Sequence, residues 1–288
     1  MTRNIPFTKM VGTGNDFLIV DTVRHALGSL KTAWPRVARA MCDRRHGVGA
    51  DGVLVLERSR EADARMRVFN PDGSEPEMCG NGARCVASYV RHPGTITIET
   101  KAGVVTAAVR GNRVAMRMPD PKGITLSLRL DVDPVIRSLA FLDTGVPHVV
   151  ASVDHVDRLD VDALGRTLRH HQAFQPRGAN VDFIEVNPKA PHHLRIRTYE
   201  RGVEGETPAC GTGAAAAAVI HALRTATTPA QRPTPRHITV ETKSGEALAV
   251  SLTVENGRRR RQVTDVTLEG AVRRICQGTF AWRTKGSR

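Results

Sequence analysis

With 288 residues, 40% of them hydrophobic and 25% charged, the chain has the composition of an ordinary globular protein with room for two domains. The net charge is +13, but the basic residues are spread along the chain and aromatic residues make up only 4%, so few side chains could stack on bases and we predict no nucleic-acid partner. No apolar run reaches the length of a membrane span, and the polar amino terminus, Met1–Asp16, predicts no signal peptide.

The first polar element is a glycine turn, Gly12-Thr13-Gly14-Asn15-Asp16, that precedes the apolar run Phe17–Val20. It lacks the pattern of a phosphate-binding loop and precedes a strand rather than a helix, so we interpret it as a turn that presents the Asn15 amide. A helix is expected over Thr32–Arg44 and an alternating strand over Arg65–Asn70.

Cys79 lies in the segment Met78-Cys79-Gly80-Asn81-Gly82-Ala83, just before a run of helix formers, Ala83–Val90. A thiol at a helix start lies beside unpaired N–H groups and the positive end of the helix dipole, which favours its thiolate. Cys79 is therefore a candidate nucleophile or base. The other cysteines without flanking glycines are expected to be small buried hydrophobic residues: Cys42, Cys85 and Cys276.

The second half repeats this order. The alternating run Leu194–Arg201 precedes Ala209-Cys210-Gly211-Thr212-Gly213-Ala214, which leads into a helical run, Ala214–Leu223. The segments Ile96–Gly103 and Ile238–Gly245 are also near copies of each other. Gly49-Ala50-Asp51 resembles Gly178-Ala179-Asn180, and Asn70 and Asn180 stand at turn edges that we interpret as matched. The sequence therefore predicts two similar α/β domains.

Two further polar positions lie near the second cysteine. His148 follows a glycine and proline turn, Thr144–Pro147, between apolar strands, and either tunes a thiol or bonds to loop backbone. Glu200 and Arg201 are adjacent and point in opposite directions if the strand continues, so one can serve the reacting centre and the other a distant carboxylate. A surface ion pair is the alternative for these two.

Two Cys-Gly-x-Gly turns together suggest one reaction. A carboxylate placed between them accepts hydrogen bonds from both helix starts, which also stabilise the charge that develops when its neighbouring carbon loses a proton. One thiolate takes the proton and the opposite thiol returns one to the other face, so the stereocentre inverts without a cofactor. Five cysteines without CxxC pairs or metal-ligand spacing predict free thiols, no metal site and a reducing cytoplasm.

These motifs resemble those of the diaminopimelate epimerases, which are amino-acid epimerases independent of pyridoxal phosphate. The similarity covers residues 9 to about 280 and is carried by the following motifs: Lys9-Met10-x-Gly-x-Gly-Asn15-Asp16-Phe17, His46-Gly-x-Gly, Phe69-Asn70-x-Asp72-Gly73-Ser74-Glu75, Cys79-Gly-Asn-Gly-Ala-Arg84-Cys85, Pro147-His148, Asn180, Tyr199-Glu200-Arg201-Gly202 and Cys210-Gly-Thr-Gly-Ala.

The resemblance implies a mixed α/β (α+β) fold of two pseudo-symmetric domains, each a curled, mostly antiparallel sheet around a central helix, with the active site in the cleft between them. We place the domains at residues 1–118, with a returning segment 270–288, and 119–269. The implied reaction converts LL-diaminopimelate to the meso form, for lysine and cell-wall synthesis, in a cytoplasmic homodimer. No cofactor is implied.

The roles implied for single residues follow the same motifs. Cys79 and Cys210 are the acid–base thiols, tuned by His148 and Glu200. The reacting carboxylate is bound by backbone groups of Gly80, Asn81, Gly211 and Thr212, with Asn15 close to the reacting end. The distal end is held by Asn70, Asn180 and Arg201, and Glu200 also contacts substrate.

Two positions depart from the family pattern. Gly52 stands where some members carry a glutamine that contacts substrate, and Val146 stands where many carry an asparagine. The nearest alternative is another racemase of the same architecture, acting on proline or hydroxyproline. From a different class, a basic nucleic-acid-binding protein would use the cluster Arg258–Arg261, which we interpret instead as an exposed hairpin tip.

Overall fold

The computed structural model describes residues 2–27, 30, 32–90, 94–226, 233–256 and 261–283. The chain forms two compact units, Met1–Met116 with Gly270–Arg288, and Arg117–Glu269. The tip of the basic hairpin, Arg258–Arg260, and the last residues of the basic tail lie outside the described residues. In the described part of the chain, no helix is both long and apolar enough to cross a membrane.

The first unit contains two helices and a run of strands in the order β-β-α-β-β-α-β-β-β among its described residues. The strands are β1 (Thr2–Gly12), β2 (Asn15–Asp21), β3 (Gly52–Glu57), β4 (Ala64–Phe69), β5 (Thr95–Thr100), β6 (Gly103–Arg110) and β7 (Arg113–Arg117), and the helices are α1 (Trp34–Cys42) and α2 (Gly80–Val90). Sequential strands pair as neighbours, antiparallel except β2 with β3 and β4 with β5.

The second unit repeats this plan. Its strands are β8 (Lys122–Leu128), β9 (Ile136–Asp143), β10 (Pro147–Val153), β11 (Asn180–Val186), β12 (His193–Glu200), β13 (Gly205–Thr207), β14 (Thr234–Glu241) and β15 (Ala247–Asn256), and its helices are α3 (Val161–Arg169) and α4 (Gly211–Thr225). Counted from β9, which corresponds to β1, the second and fourth strand pairs are again parallel: β10 with β11 and β12 with β14. A last strand, β16 (Arg261–Arg283), pairs with β15 and then with β1.

Each sheet packs a helix on either face. In the first unit, alternate residues of β3 point to opposite cores, Leu54 to the core of α2 and Val53 to the core of α1. In the second unit α4 is buried on all sides, which its alanine run Ala214–Ala218 permits because small side chains let strands approach closely. The predicted fold class, with a mostly antiparallel sheet around a central helix in each half, is confirmed.

The helix boundaries differ from the sequence prediction in an informative way. Helix α2 begins at Gly80 and α4 at Gly211, directly after the cysteines, and not at the later runs of helix formers. Glycine has low helix propensity, so the sequence pattern excluded these first turns. Helix α1 is also shorter than the predicted span Thr32–Arg44. Cys42 and Cys85 are buried as predicted, whereas the prediction for Cys276 is wrong, because it lies in a stretch of β16, residues 273–277, in which every residue is exposed.

Candidate active site

In the first unit, Cys79 lies directly before α2 and is half-buried. The Gly82 N–H donates to Cys79 Sγ at 3.4 Å, and the Ala83 N–H donates to the Cys79 carbonyl oxygen at 2.8 Å. The sulfur thus receives a donor from the first turn of the helix, as the sequence predicts. A Cβ added at Gly80 would have only Met116 Cε nearby, at 3.9 Å, so the backbone at Gly80 is open to close approach.

The first turn of α2 is held by a chain of side-chain hydrogen bonds. Asn81 Nδ2 donates to Asn15 Oδ1 at 2.6 Å, and Asn15 Nδ2 donates to Asp51 Oδ2 at 3.1 Å. The fully buried Arg84 donates through Nη2 to Asn81 Oδ1 at 2.6 Å and to Thr13 Oγ1 at 2.8 Å. Because each amide oxygen accepts and each amide nitrogen donates, both asparagine side chains have a defined orientation. Asn15 and Asn81, both predicted site residues, are therefore in direct contact.

Asn70 follows β4 in a tight turn. Its N–H bonds to the Ser74 carbonyl oxygen at 2.9 Å, its Nδ2 donates to Ser74 Oγ at 3.0 Å, and Gly73 closes the turn with a φ of 82°. The strand register pairs Phe69 with Val53 and, in the other unit, Tyr199 with Val181, so Asn70 corresponds to Glu200. The prediction that Asn70 and Asn180 are matched positions is therefore wrong, since a turn edge in sequence does not reveal which strand it ends.

In the second unit, Cys210 is buried and caps α4 with an extended backbone, φ −118° and ψ 112°. Its sulfur lies 3.4 Å from Thr212 Oγ1. Burial raises the pKa of the Cys210 thiol well above its ordinary value, and the charges of Glu200 and Asp182 raise it further, against the Thr212 hydroxyl and the Gly213 N–H. The expected shift toward thiolate is wrong for this cysteine, because loss of solvent outweighs the helix start.

His148 is fully buried on β10 and its ring is held at both nitrogens. Nδ1 lies 2.7 Å from Asp182 Oδ2, and Nε2 lies 3.4 Å from Asn180 Nδ2. Asp182 is also fully buried and accepts from Thr198 Oγ1 at 2.8 Å. Sequence reasoning missed Asp182. Its signal was its spacing of two from Asn180, which places both side chains on the same face of β11.

Glu200 is the last residue of β12, and Arg201 lies in the turn that follows, so the two do not alternate along one strand. Burial raises the pKa of the Glu200 carboxyl above its ordinary range, against the hydrogen bond of the Thr207 hydroxyl. The Arg201 N–H donates to Asn180 Oδ1 at 2.7 Å. The Asn180 side chain therefore contacts both the His148 ring and the Arg201 backbone. The Glu200 carboxyl lies near enough to His148 for an electrostatic interaction.

Each cysteine is also preceded by a glutamate that an arginine and a lysine hold in place. The two trios are Arg67, Glu75 and Lys101 in the first unit, and Arg197, Glu206 and Lys243 in the second. Arg67 grips Glu75 with two bonds of 2.8 and 3.0 Å, and Arg197 grips Glu206 with two of 2.6 and 2.8 Å. The lysines complete each trio from the repeated Thr-Lys segments. Sequence reasoning noted that repeat without assigning its lysines.

The two departures from the family pattern have local explanations. A Cβ at Gly52 would lie 3.1 Å from the Phe69 carbonyl oxygen and 3.4 Å from Phe17 Cδ1, so a larger residue there requires its neighbours to shift. The Val146 carbonyl oxygen accepts from the Thr144 N–H at 3.1 Å, a contact that any side chain allows. The described residues contain no group of three or more histidine, cysteine or carboxylate side chains that could hold a metal ion.

Comparison with known proteins gives a consistent result. A family model described as diaminopimelate epimerase matches residues 7–122 and 140–268. The chain is 41% identical to the diaminopimelate epimerase of Methanocella arvoryzae, over 76% of this chain and 82% of the relative. It is 37% identical to that of Aquifex aeolicus, over 96% of this chain and 97% of the relative.

Solved structures show the same fold at lower identity. The phenazine biosynthesis protein of the PhzF family from Bacillus anthracis superposes with a TM-score of 0.68 at 19% identity, covering 96% of this chain and 99% of that chain. At this identity the similarity concerns the fold alone.

Proposed function

Given that the chain belongs to the diaminopimelate epimerase family, we propose that it interconverts LL- and meso-diaminopimelate, a step of lysine synthesis. One observation carries the proposal most strongly. Each unit places a thiol directly before the first turn of a central helix, at equivalent points of a repeated fold. Two such groups suit a reaction that inverts one stereocentre, because one can remove a proton and the other can supply one to the opposite face.

In the proposed reaction, the thiolate of one cysteine takes the proton from the α-carbon. The C–H bond breaks, an S–H bond forms, and the electron pair is delocalised into the adjacent carboxylate. The other thiol then transfers its proton to the opposite face of the carbon, so one proton enters and one leaves without an oxidant or reductant. Backbone N–H groups at Gly80, Asn81, Gly211 and Thr212 would bind the carboxylate and stabilise this charge.

The raised pKa of Cys210 supports a division of roles between the thiols. When the reaction begins with Cys210 protonated, Cys210 would donate the proton and Cys79 would act as the base. The reverse direction requires the opposite assignment. His148 and Glu200 would tune Cys210, and both belong to its unit.

The remaining predicted residues would bind the substrate. Asn70, Asn180 and Arg201 would hold the distal amino-acid end, Asn15 would lie close to the reacting end, and Glu200 would contact substrate as well. Arg201 is suited to a distal carboxylate because its guanidinium forms two parallel hydrogen bonds. Its backbone N–H donates to Asn180 Oδ1 and its Nη1 donates to the Arg177 carbonyl oxygen at 3.4 Å, so the other guanidinium donors would take this role.

The test is an assay of LL- to meso-diaminopimelate conversion without pyridoxal phosphate, run in D2O. We expect deuterium at the α-carbon of the product, since the returned proton comes from a thiol that exchanges with solvent. Conversion without deuterium uptake, or no conversion, contradicts the proposal. Proline and hydroxyproline serve as control substrates for the alternative racemase, and turnover of either at a comparable rate would favour that alternative.

We also propose that the enzyme acts in the cytoplasm as a homodimer, as its family resemblance implies. The cysteines of the described residues are all free thiols, which supports a reducing compartment. Sedimentation equilibrium under reducing conditions tests the oligomeric state, and a monomer at micromolar concentration would contradict it.

A further inference from the structure

Asp182 combines complete burial with a full set of partners. Its Oδ2 lies 2.7 Å from His148 Nδ1 and its Oδ1 accepts from the Thr198 hydroxyl at 2.8 Å. A buried carboxylate is costly unless such partners hold it, so this residue has a specific local function. None of the roles assigned above uses it.

The hydrogen bonds around His148 run in one direction. The Arg201 N–H donates to Asn180 Oδ1 at 2.7 Å, so the Asn180 amide must turn its nitrogen toward His148 Nε2, 3.4 Å away. An amide nitrogen only donates, so Nε2 must accept and cannot carry a hydrogen. The ring hydrogen is therefore on Nδ1, where it is donated to Asp182. This arrangement defines the tautomer of His148 as the Nδ1–H form.

Asp182 also lies against the helix that Cys210 caps. A Cβ built on Gly213 would lie 2.3 Å from Asp182 Oδ1, closer than any side chain can approach. The second glycine of the Cys-Gly-x-Gly motif is thus required by the Asp182 carboxylate. The carboxylate joins the imidazole of His148 to the first turn of α4.

We propose that Asp182 is a positioning residue, which holds His148 as the Nδ1–H tautomer, lies itself against the first turn of α4 and thereby sets the protonation of Cys210. This rests on the proposed role of Cys210 as an acid–base group. The charged groups that act on this sulfur are Glu200 from β12 and Asp182 from β11. His148 from β10 contacts Asp182, so it acts on the sulfur through that carboxylate. On α4 itself, the Thr212 hydroxyl and the Gly213 N–H oppose the carboxylates.

The first test reads the tautomer directly and needs no catalysis. Long-range proton–nitrogen NMR spectra of protein labelled with nitrogen-15 histidine distinguish the two tautomers, and His148→Gln identifies the signal among the 11 histidines. We expect the Nδ1–H form in the wild type. An Nε2–H form, or a protonated ring at pH 8, would overturn the inference even if the protein is an active epimerase. Conversely, the expected tautomer in a protein without epimerase activity would leave the inference intact and refute only the function.

The second test uses Asp182→Asn, which keeps the shape and removes the charge, with Thr198→Val as the matched control that removes a hydrogen bond but no charge. Iodoacetamide modification of the Cys210 peptide is followed by mass spectrometry against pH. In Asp182→Asn we expect the midpoint pH to fall by about one unit and kcat to drop about tenfold with a smaller change in KM. In Thr198→Val the midpoint should stay in place. An unchanged midpoint in a folded Asp182→Asn variant would mean that Asp182 is merely structural.

Discussion

The two units share the same overall order of strands and helices, and each has a cysteine directly before one of its helices. Some side chains around these cysteines are the same in both units and others differ. Both retain the thiol before the helix, the glycine two residues after the first glycine, and the glutamate gripped by an arginine and a lysine. These shared groups shape and brace the turn that carries the sulfur. The groups that surround the turn differ.

The differences appear when the strands are matched by register. Four polar residues of the second unit correspond to apolar or small residues of the first: His148 to Phe17, Asn180 to Gly52, Asp182 to Leu54, and Thr198 to Val68. The second glycine of each motif therefore faces a different neighbour, Asp182 Oδ1 in the second unit and Leu54 Cδ2 in the first.

The buried charges also differ in sign. The first unit buries a cation, Arg84, in α2, where the equivalent position of α4 is Ala215. The second unit buries the carboxylates of Asp182 and, in large part, Glu200 near its cysteine. The buried Arg84 of α2 therefore has no charged counterpart on α4, and Asp182 beside α4 has none at the equivalent position, Leu54. The two thiols that we propose as acid and base thus have different side-chain surroundings on the same backbone.

The largest expected effect tests whether the two thiols are both required. We expect Cys79→Ala and Cys210→Ala each to lower kcat/KM for epimerisation by at least about 10³-fold, because each removes one of two proton-transfer groups. Cys276→Ala, on the exposed face of β16, is the matched control and should retain full activity. Steady-state assays in both directions provide the measurement. Near-normal activity in Cys79→Ala or Cys210→Ala would show that the replaced thiol is not needed for proton transfer and would contradict the two-thiol proposal.

The next effect concerns the matched glycines. Gly213→Ala should lower the free energy of unfolding by about 3 kcal/mol, because the new methyl group meets a buried carboxylate that cannot withdraw. Gly82→Ala should change it by less than about 1 kcal/mol, since Leu54 Cδ2, 2.9 Å from the added Cβ, is the end of a flexible side chain and alanine favours the helix. Urea unfolding of both variants compares them. Equal losses would show that the two neighbours are equally rigid.

The shared trios should give similar effects in both units. The hydrogen bond from Arg67 lowers the pKa of Glu75, and Lys101 lowers it further, while burial acts in the opposite direction. Burial also raises the pKa of Glu206, but Arg197 and Lys243 outweigh it, so that this pKa is lowered as well. Glu75→Gln and Glu206→Gln should each cost about 2 kcal/mol of unfolding free energy at pH 7. Because the folded pKa values are lowered, this contribution is present above the ordinary value of 4.5 and is lost as pH falls through the folded values. Urea unfolding at pH 7 and pH 3 measures it. A loss that is the same at both pH values would contradict the ionic origin.

The smallest expected effect distinguishes the charge of Glu200, which acts on the Cys210 thiol, from the structural role of Glu206 in the segment before it. Burial, followed by the charges of Glu200 and Asp182, raises the pKa of this thiol, so Glu200→Gln should lower the midpoint pH of Cys210 alkylation by about one unit. Glu206→Gln also removes a carboxylate from the segment before Cys210 and should leave that midpoint in place. If the control variant shifted the midpoint as much, long-range charge rather than contact with Glu200 would explain the environment of Cys210.

Much of the site could be predicted from residue order, because it depends on local chemistry. Cysteine followed by glycine, one residue and glycine predicts a thiol at a helix start, and two copies predict a duplicated fold; both predictions are confirmed. The pairing of Asn15 with Asn81 could not be predicted, since it depends on a turn and a helix that meet only in the folded unit. The protonation of Cys210 was also missed, because the helix start can be read locally and the cost of burial cannot.

The amino-acid sequence by itself determined the family, the repeat and the two thiols, since each is written in short motifs whose chemistry does not depend on distant residues. Only the tertiary structure decided how the two halves differ. Asp182 and Leu54 occupy equivalent strand positions. Each lies on a strand that pairs in parallel with a strand from earlier in the chain, β10 for Asp182 and β2 for Leu54, so its neighbours are distant in sequence. Burial then gives the contact its effect in the second unit, because the Asp182 carboxylate raises the pKa of the Cys210 thiol where solvent is excluded.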